Sequence, residues 1–150
     1  MPSSYLIPSL IFISTPTIHP TQWALPGGMV DDGEKVSATV KREFEEEAGN
    51  ITDPEAQARF KSMIEELFKS GQVVYRGYVD ESRNTDHAWI ETSVFHMHCT
   101  EEVGRLLPLE AGDDASHVMW FDIGDGSTLP NLYPPHRGWI GQVAKSMHKV

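Results

Sequence analysis

Residues Gly27 to Asn50, GGMVDDGEKVSATVKREFEEEAGN, constrain this chain more than any other stretch. A glycine turn feeds one helix, and the helix ends in a run of carboxylates. Asp32 or Gly33 suits the cap, and Glu34 suits the first turn, where the helix dipole favours negative charge. Gly49 suits a left-handed stop just past the end. Val36, Val40 and Phe44 recur every four residues, which predicts one apolar stripe.

The far end of that helix is electrostatically unfavourable on its own. Glu43, Glu45, Glu46 and Glu47 crowd its last turns, where the dipole is already negative and like charges three or four apart repel. At ~100° per residue, Glu43 and Glu47 lie ~40° apart and Glu46 lies ~60° from Glu43, so these three share a face while Glu45 points ~160° away. Arg42 reaches Glu46 at i,i+4, but one arginine does not neutralise three carboxylates. A solvated acidic face is one reading. The other is a site for a hard divalent cation, Mg²⁺ or Mn²⁺, which clustered oxygen ligands select. Gly27 and Gly28 let the backbone approach a ligand closely and weigh toward the second reading.

A chain of 150 residues suits one domain with a sizeable core. With 22 acidic and 12 basic residues the formal net charge is -10, which argues against a nucleic-acid or anionic-membrane partner. A phosphate substrate stays open to an acidic protein if a metal supplies the local positive charge. The single Cys99 forms no internal disulfide and suits a reducing compartment. The first basic residue is Lys35, so the start lacks the charges of a secretory or mitochondrial leader. The apolar run Leu10 to Ile13 is too short to span a membrane. An intracellular, cytoplasmic location is expected.

Along the chain, residues 1–9 are expected to be disordered and the domain to run from 10 to 150. Leu10–Ser14 reads as a strand, Thr15–Gln22 as a Pro-bearing loop, and Trp23–Leu25 as a short strand delivering the glycines. Before the next helix, Thr52 and Glu55 have capping-box spacing, while Asp53 before Pro54 offers a competing cap. Phe60, Met63, Ile64, Leu67 and Phe68 follow helical periodicity and read as core, with Gly71 as the stop. Val73–Val79 and Ala88–His98 read as strands around the polar loop Asp80–His87, with Val118–Ile123 a further strand. His96 and His98 share a strand face; a solvent-facing pair is the expected reading over metal ligation. Trp139, Ile140, Val143, Ala144 and Met147 mark an amphipathic last helix.

Gly28, Glu34, Arg42, Glu43, Phe44, Glu46, Glu47 and Gly49 stand at the spacing of the Nudix hydrolase signature: Gly, five residues, Glu, seven residues, Arg-Glu, apolar, any, Glu-Glu, any, Gly, apolar. The chain resembles that superfamily and departs only at the last position, where Asn50 precedes Ile51. The resemblance implies an α/β Nudix fold, a mixed β-sheet sandwiched between helices (α/β/α). It implies metal ligation by Glu43, Glu46 and Glu47, with the Gly27 carbonyl as companion, and places Arg42 and Gly28 in the site. WALPGGMVDDGEK, KREF, GYVDESRNTDHAW and LEAGDDASHVMWFDI are similar to the animal ADP-ribose pyrophosphatase branch and to the homologous C-terminal domain of ADP-ribose-gated cation channels.

That branch implies Mg²⁺- or Mn²⁺-dependent hydrolysis of ADP-ribose to AMP and ribose 5-phosphate, and a mitochondrial location. The alternatives are an ADP-ribose sensor module of a channel and a hydrolase of another nucleoside diphosphate derivative. Glu43, or one of Glu110, Asp113 and Asp114, would take the proton of the attacking water. Arg83 would fork onto phosphate, Asp86 would accept from ribose hydroxyls, and Trp89 or Tyr78 would stack on adenine. The animal enzyme carries a large region ahead of its core, which residues 1–9 cannot replace. A raised KM, weakened selectivity and self-association through uncovered apolar surface are therefore expected.

Overall fold

The computed structural model describes residues 10–16, 21–99, 104, 115–123 and 131–147. The expectation of disorder over residues 1–9 falls outside them, as do Glu110, Asp113 and Asp114. The elements in order are β1 (Leu10–Pro16), α1 (Val36–Ala48), α2 (Pro54–Lys69), β2 (Gln72–Val79), β3 (Ile90–His96), β4 (Ala115–Asp122) and α3 (Pro134–Met147).

β1 pairs antiparallel with β4, from Leu10 opposite Asp122 to Pro16 opposite Ala115, and β2 pairs antiparallel with β3, from Gln72 opposite His96 to Val79 opposite Ile90. Among the described residues the parallel component of the expected mixed sheet is one bridge, Trp23 to Leu132. Trp23–Leu25 is thus a bridged segment and not a full strand. β1 also runs further than expected, taking in Thr15 and Pro16.

β4 explains why helices lie on both sides. Its alternation sends Val118 and Trp120 to a core of Phe44, Ile51, Phe60 and Ile64 from α1, α2 and their connection. Phe121, and Ile123 just past the strand, go to a second core with Leu132 and Ile140, against which Trp23, Leu25 and Ala144 pack. The result is the α/β/α arrangement. Phe60 and Ile64 are fully buried, which stabilises the fold by roughly 1.5–3 kcal/mol each. Phe44 stacks on Phe60 with centroids 6.2 Å apart.

α2 begins where its sequence says. Asp53 is the cap, its Oδ2 accepting from the Ala56 amide at 2.7 Å, and Pro54 takes the first helical position, so the Asp cap prevails over the capping box. α1 departs from expectation at both ends. Its N-cap is Lys35, with no side-chain cap, and Glu34 lies before the helix. Gly33 is not a cap but the left-handed residue (φ 79°) of the turn closed by Glu34 N–H donating to the Asp31 carbonyl at 3.0 Å. Gly49 is not left-handed either (φ -105°, ψ 20°). Space requires glycine there, because a Cβ would stand 2.4 Å from the Glu45 carbonyl oxygen and 2.8 Å from Phe60 Cε1. Ile51 is buried and supplies the apolar anchor that Asn50 lacks. Of the expected stripe Val36 is exposed and Phe44 buried, and Thr39, on another face, is buried as well.

α3 is fastened to the chain entering the glycine turn. His136 Nδ1 accepts the Leu25 amide at 2.9 Å, and Trp23 exchanges backbone bonds with Asn131 and Tyr133 at 2.8 Å each. Burial pushes the His136 pKa down to about 4, so the folded imidazole stays neutral while the unfolded one protonates below its ordinary 6.5. The unfolded state then binds more protons, and stability falls as pH drops from about 6.5 to about 4, by up to about 3 kcal/mol. His136→Asn keeps an acceptor for Leu25 without a titrating group. Thermal melts across that range should flatten in His136→Asn; an unchanged slope would place the effect elsewhere.

Candidate active site

Arg42 is the hub of the acidic cluster. Its Nε donates to Glu34 Oε1 at 3.1 Å and its Nη2 to Glu34 Oε2 at 3.2 Å, a two-pronged clamp. Nη2 also donates to the Met29 carbonyl at 3.3 Å and lies 3.7 Å from Asp31 Oδ2. The remaining nitrogen, Nη1, lies between two carboxylates, 2.8 Å from Glu43 Oε1 and 3.1 Å from Glu46 Oε2. One edge of the guanidinium therefore grips the loop, and its tip joins Glu43 to Glu46. The expected Arg42–Glu46 contact is present. Glu45 faces the other way, 3.9 Å from Lys41 Nζ.

Glu34 is the residue that holds Arg42 in this pose. Its Oε2 also accepts from Thr39 Oγ1 at 2.8 Å and from the Asp31 amide at 3.3 Å. The Arg42 bonds, then the Thr39 bond, hold the Glu34 pKa down to about 2. Gly28 lies against Glu43: a Cβ there would stand 2.3 Å from the Glu43 carboxyl carbon. The space beside the Gly27 Cα is open. The backbone of Glu47 belongs to α1; its side chain is outside the described residues.

The loop between β2 and β3 is built around Asn84. Asn84 Nδ2 donates to the Val79 carbonyl at 2.8 Å and to the Tyr78 hydroxyl at 3.2 Å, and its Oδ1 accepts the Ile90 amide at 2.7 Å. Thr85 closes the tip with its Oγ1 accepting from the His87 and Ala88 amides. Arg83 Nε lies 2.8 Å from both oxygens of Glu81. Asp86 is exposed on the same loop. Tyr78 and Trp89 are 52% and 60% exposed, so neither is a core residue, and Trp89 donates from Nε1 to Glu91 at 3.2 Å. The rings of His96 and His98 stand edge to face with centroids 6.1 Å apart, and no third ligand joins them among the described residues.

The NUDIX domain family model matches residues 10–143. The chain belongs to the Nudix family. It is 48% identical over 130 residues to the mitochondrial ADP-ribose pyrophosphatase of Rattus norvegicus, covering 83% of this chain and 36% of that protein. It is 41% identical over 142 residues to a transient receptor potential cation channel subfamily M member-like 2 of Nematostella vectensis, covering 91% of this chain and 9% of that one. The Nudix chain thus spans under half the length of these curated relatives. Among solved structures it is similar to a MutT NUDIX hydrolase of Burkholderia pseudomallei, with a TM-score of 0.58 at 19% identity over 89% of this chain and 88% of that one. That likeness speaks for the fold alone.

Nudix hydrolases use divalent metals, and the donor chemistry here fits one. Glu43 and Glu46 are hard oxygen donors sharing one cationic nitrogen, beside a glycine backbone with no side chain to fill the space. Among the described residues no three carboxylate, imidazole or thiolate groups form a ready-made metal set, and Glu47 is the next acidic position on the same helical face. Gly28→Ala tests the close approach. The Glu43 carboxylate, at the free end of a flexible side chain, should swing aside, leaving the melting temperature near wild type and weakening Mn²⁺ binding about tenfold or more, the scale of changes one step removed from a metal's ligands. Unchanged Mn²⁺ affinity would mean Gly28 spaces nothing.

Charge and spacing alone put Glu34 in the first turn of the helix and give Thr39 and Asn84 no role. For Glu34 a signal existed: it is a fixed signature position eight residues before the one arginine in the cluster. For Asn84 the signal is its place between Arg83 and Asp86 in the polar loop Asp80–His87.

Proposed function

We propose that this chain hydrolyses the pyrophosphate bond of ADP-ribose to AMP and ribose 5-phosphate, with residues 10–150 as one catalytic domain. The observation that carries the reading is its likeness, over most of its length, to the rat ADP-ribose pyrophosphatase. The assembly of Glu34, Arg42, Glu43 and Glu46 about one guanidinium supports it. Water adds to one phosphorus, the bond from that phosphorus to the bridging oxygen breaks, and the other phosphate leaves with that oxygen. Glu43, Glu46 and Glu47, with the Gly27 carbonyl, would hold Mg²⁺ or Mn²⁺. The bound ion supplies positive charge against the diphosphate and acidifies water.

The protein's own residues do the rest. Arg42 spaces Glu43 and Glu46, and Glu43 would take the proton lost by water; Glu110, Asp113 and Asp114 are the loop alternatives. Arg83 and Asp86 are the proposed substrate contacts. A guanidinium has five N–H donors, and Glu81 engages the Nε donor of Arg83, so a phosphate contact does not require that pair to break. Exposed Tyr78 and Trp89 offer faces for a base and a surface for self-association. No helix among the described residues is long and apolar enough to cross a membrane. An intracellular setting is proposed, with mitochondria the compartment named for the rat relative.

The second reading, an ADP-ribose-binding module of a channel, draws on the channel likeness. The intact Glu46-Glu47 pair favours hydrolysis, because binding alone does not need it. Release of AMP from ADP-ribose with Mg²⁺ by the purified chain, compared with NADH and ADP-glucose, tests the proposal. ADP-ribose binding without AMP release would support the sensor, and faster turnover of another diphosphate would overturn the substrate.

A further inference from the structure

We propose that Thr39 is a positioning residue for the metal-binding carboxylates, acting through Glu34 and Arg42. This rests on the reading of Glu43 and Glu46 as metal ligands. Thr39 is 2% exposed and stands on the helix face of Arg42, Glu43 and Glu46, which follow it by three, four and seven residues. Burying a hydroxyl is unfavourable unless it is hydrogen-bonded. Its Oγ1 is 2.8 Å from Glu34 Oε2 and 3.3 Å from the Lys35 carbonyl oxygen. A hydroxyl has one proton, and the shorter distance and the charged acceptor both favour Glu34.

That bond reaches outside the helix. Glu34 sits in the turn ahead of α1, so its carboxylate has no helical geometry to fix it. Thr39 supplies a fixed point from the first turns of the helix. It binds Oε2, the oxygen that also receives Arg42 Nη2, and so sets the plane of the carboxylate. The plane of Glu34 sets the plane of the guanidinium it clamps with two bonds. The guanidinium plane then sets where Nη1 stands between Glu43 and Glu46. Without the Thr39 proton, Glu34 keeps its charge and Arg42 but loses the contact that orients it from the helix side.

The test uses Mn²⁺ binding to the 150-residue chain, followed by electron paramagnetic resonance without substrate, alongside the kcat and KM for ADP-ribose. Thr39→Val keeps the shape and removes the donor; Thr39→Ser keeps the donor. Thr39→Val should weaken Mn²⁺ binding about tenfold and lower kcat more than it raises KM, on the scale of other changes one step removed from metal ligands. Thr39→Ser should restore the affinity to within about twofold. In a Glu34→Gln background Thr39→Val should have little further effect, since the relay is already cut. Wild-type Mn²⁺ affinity in Thr39→Val, a Thr39→Ser as weak as Thr39→Val, or additive effects with Glu34→Gln would each overturn the proposal. Mn²⁺ binding that depends on Thr39 in a chain that fails to hydrolyse ADP-ribose would support it while refuting the proposed reaction.

Discussion

Glu46→Gln and Glu47→Gln should each cut metal-dependent turnover by on the order of a hundredfold or more, because changes one step removed from a metal's ligands already cost about 10–100-fold. The fold should survive. Glu46 is half exposed, its pair with Arg42 is of the surface kind that contributes little to stability, and Nη1 keeps Glu43 as a partner. Removing negative charge from the C-terminal end of α1 also relieves an unfavourable dipole contact. Glu45→Gln is the internal control. Glu45 points toward Lys41 and should change turnover by less than a few-fold. Steady-state rates with Mg²⁺ and melting temperatures for the three variants decide the matter. Near-wild-type rates in Glu46→Gln, or equal losses in all three, would refute the assignment of ligands to one helical face.

Arg42→Lys should be nearly as damaging although it keeps the charge. A guanidinium reaches Glu34 with two nitrogens and Glu43 and Glu46 with a third; an ammonium is a point charge on a flexible stem and cannot serve all three. Turnover should fall about 10–100-fold, with a lowered melting temperature. The same substitution should be visible in the acid limb. Glu34, whose pKa is lowered from 4.5 to about 2, contributes stability that is present above about 4.5 and lost as pH falls toward about 2. In Arg42→Lys the Glu34 carboxyl should titrate closer to its ordinary value, which carbon-detected NMR would register, and the acid-dependent loss of stability should shrink. A Glu34 titration unmoved by the substitution would show that Arg42 is not what holds it.

Much of this was legible because it is local. The Asp53–Pro54 start and the Phe60–Ile64 face of α2 are set by neighbours within a turn or two, and the sequence places both. The carboxylate face of α1 follows from helical spacing alone, which also turned Glu45 away. Contacts between elements were not legible. Val36 fits an apolar stripe by period yet is exposed, whereas Thr39 is buried because its hydroxyl has a charged acceptor in the preceding turn. Gly49 looks like a left-handed stop but is glycine because the Glu45 carbonyl and, from the next helix, Phe60 fill the space. Glu34 suits a first turn by charge, yet Arg42 and Thr39 hold it outside the helix.

The fastening of Trp23 and Leu25 to Asn131, Tyr133 and His136 ties residues more than a hundred positions apart, the Leu25–His136 bond spanning 111. On a ribosome adding ~5–20 residues per second, the glycine turn and its acidic helix emerge several seconds before the segment that clamps them. Closing so long a loop is entropically unfavourable and is compensated only when the second core, around Ile123, Leu132 and Ile140, packs. The chain entering the glycine turn is therefore synthesised early and fastened last. A nascent chain stopped before Asn131 would carry every acidic residue of the cluster and still lack the clamp on the turn that delivers Gly28 to Glu43.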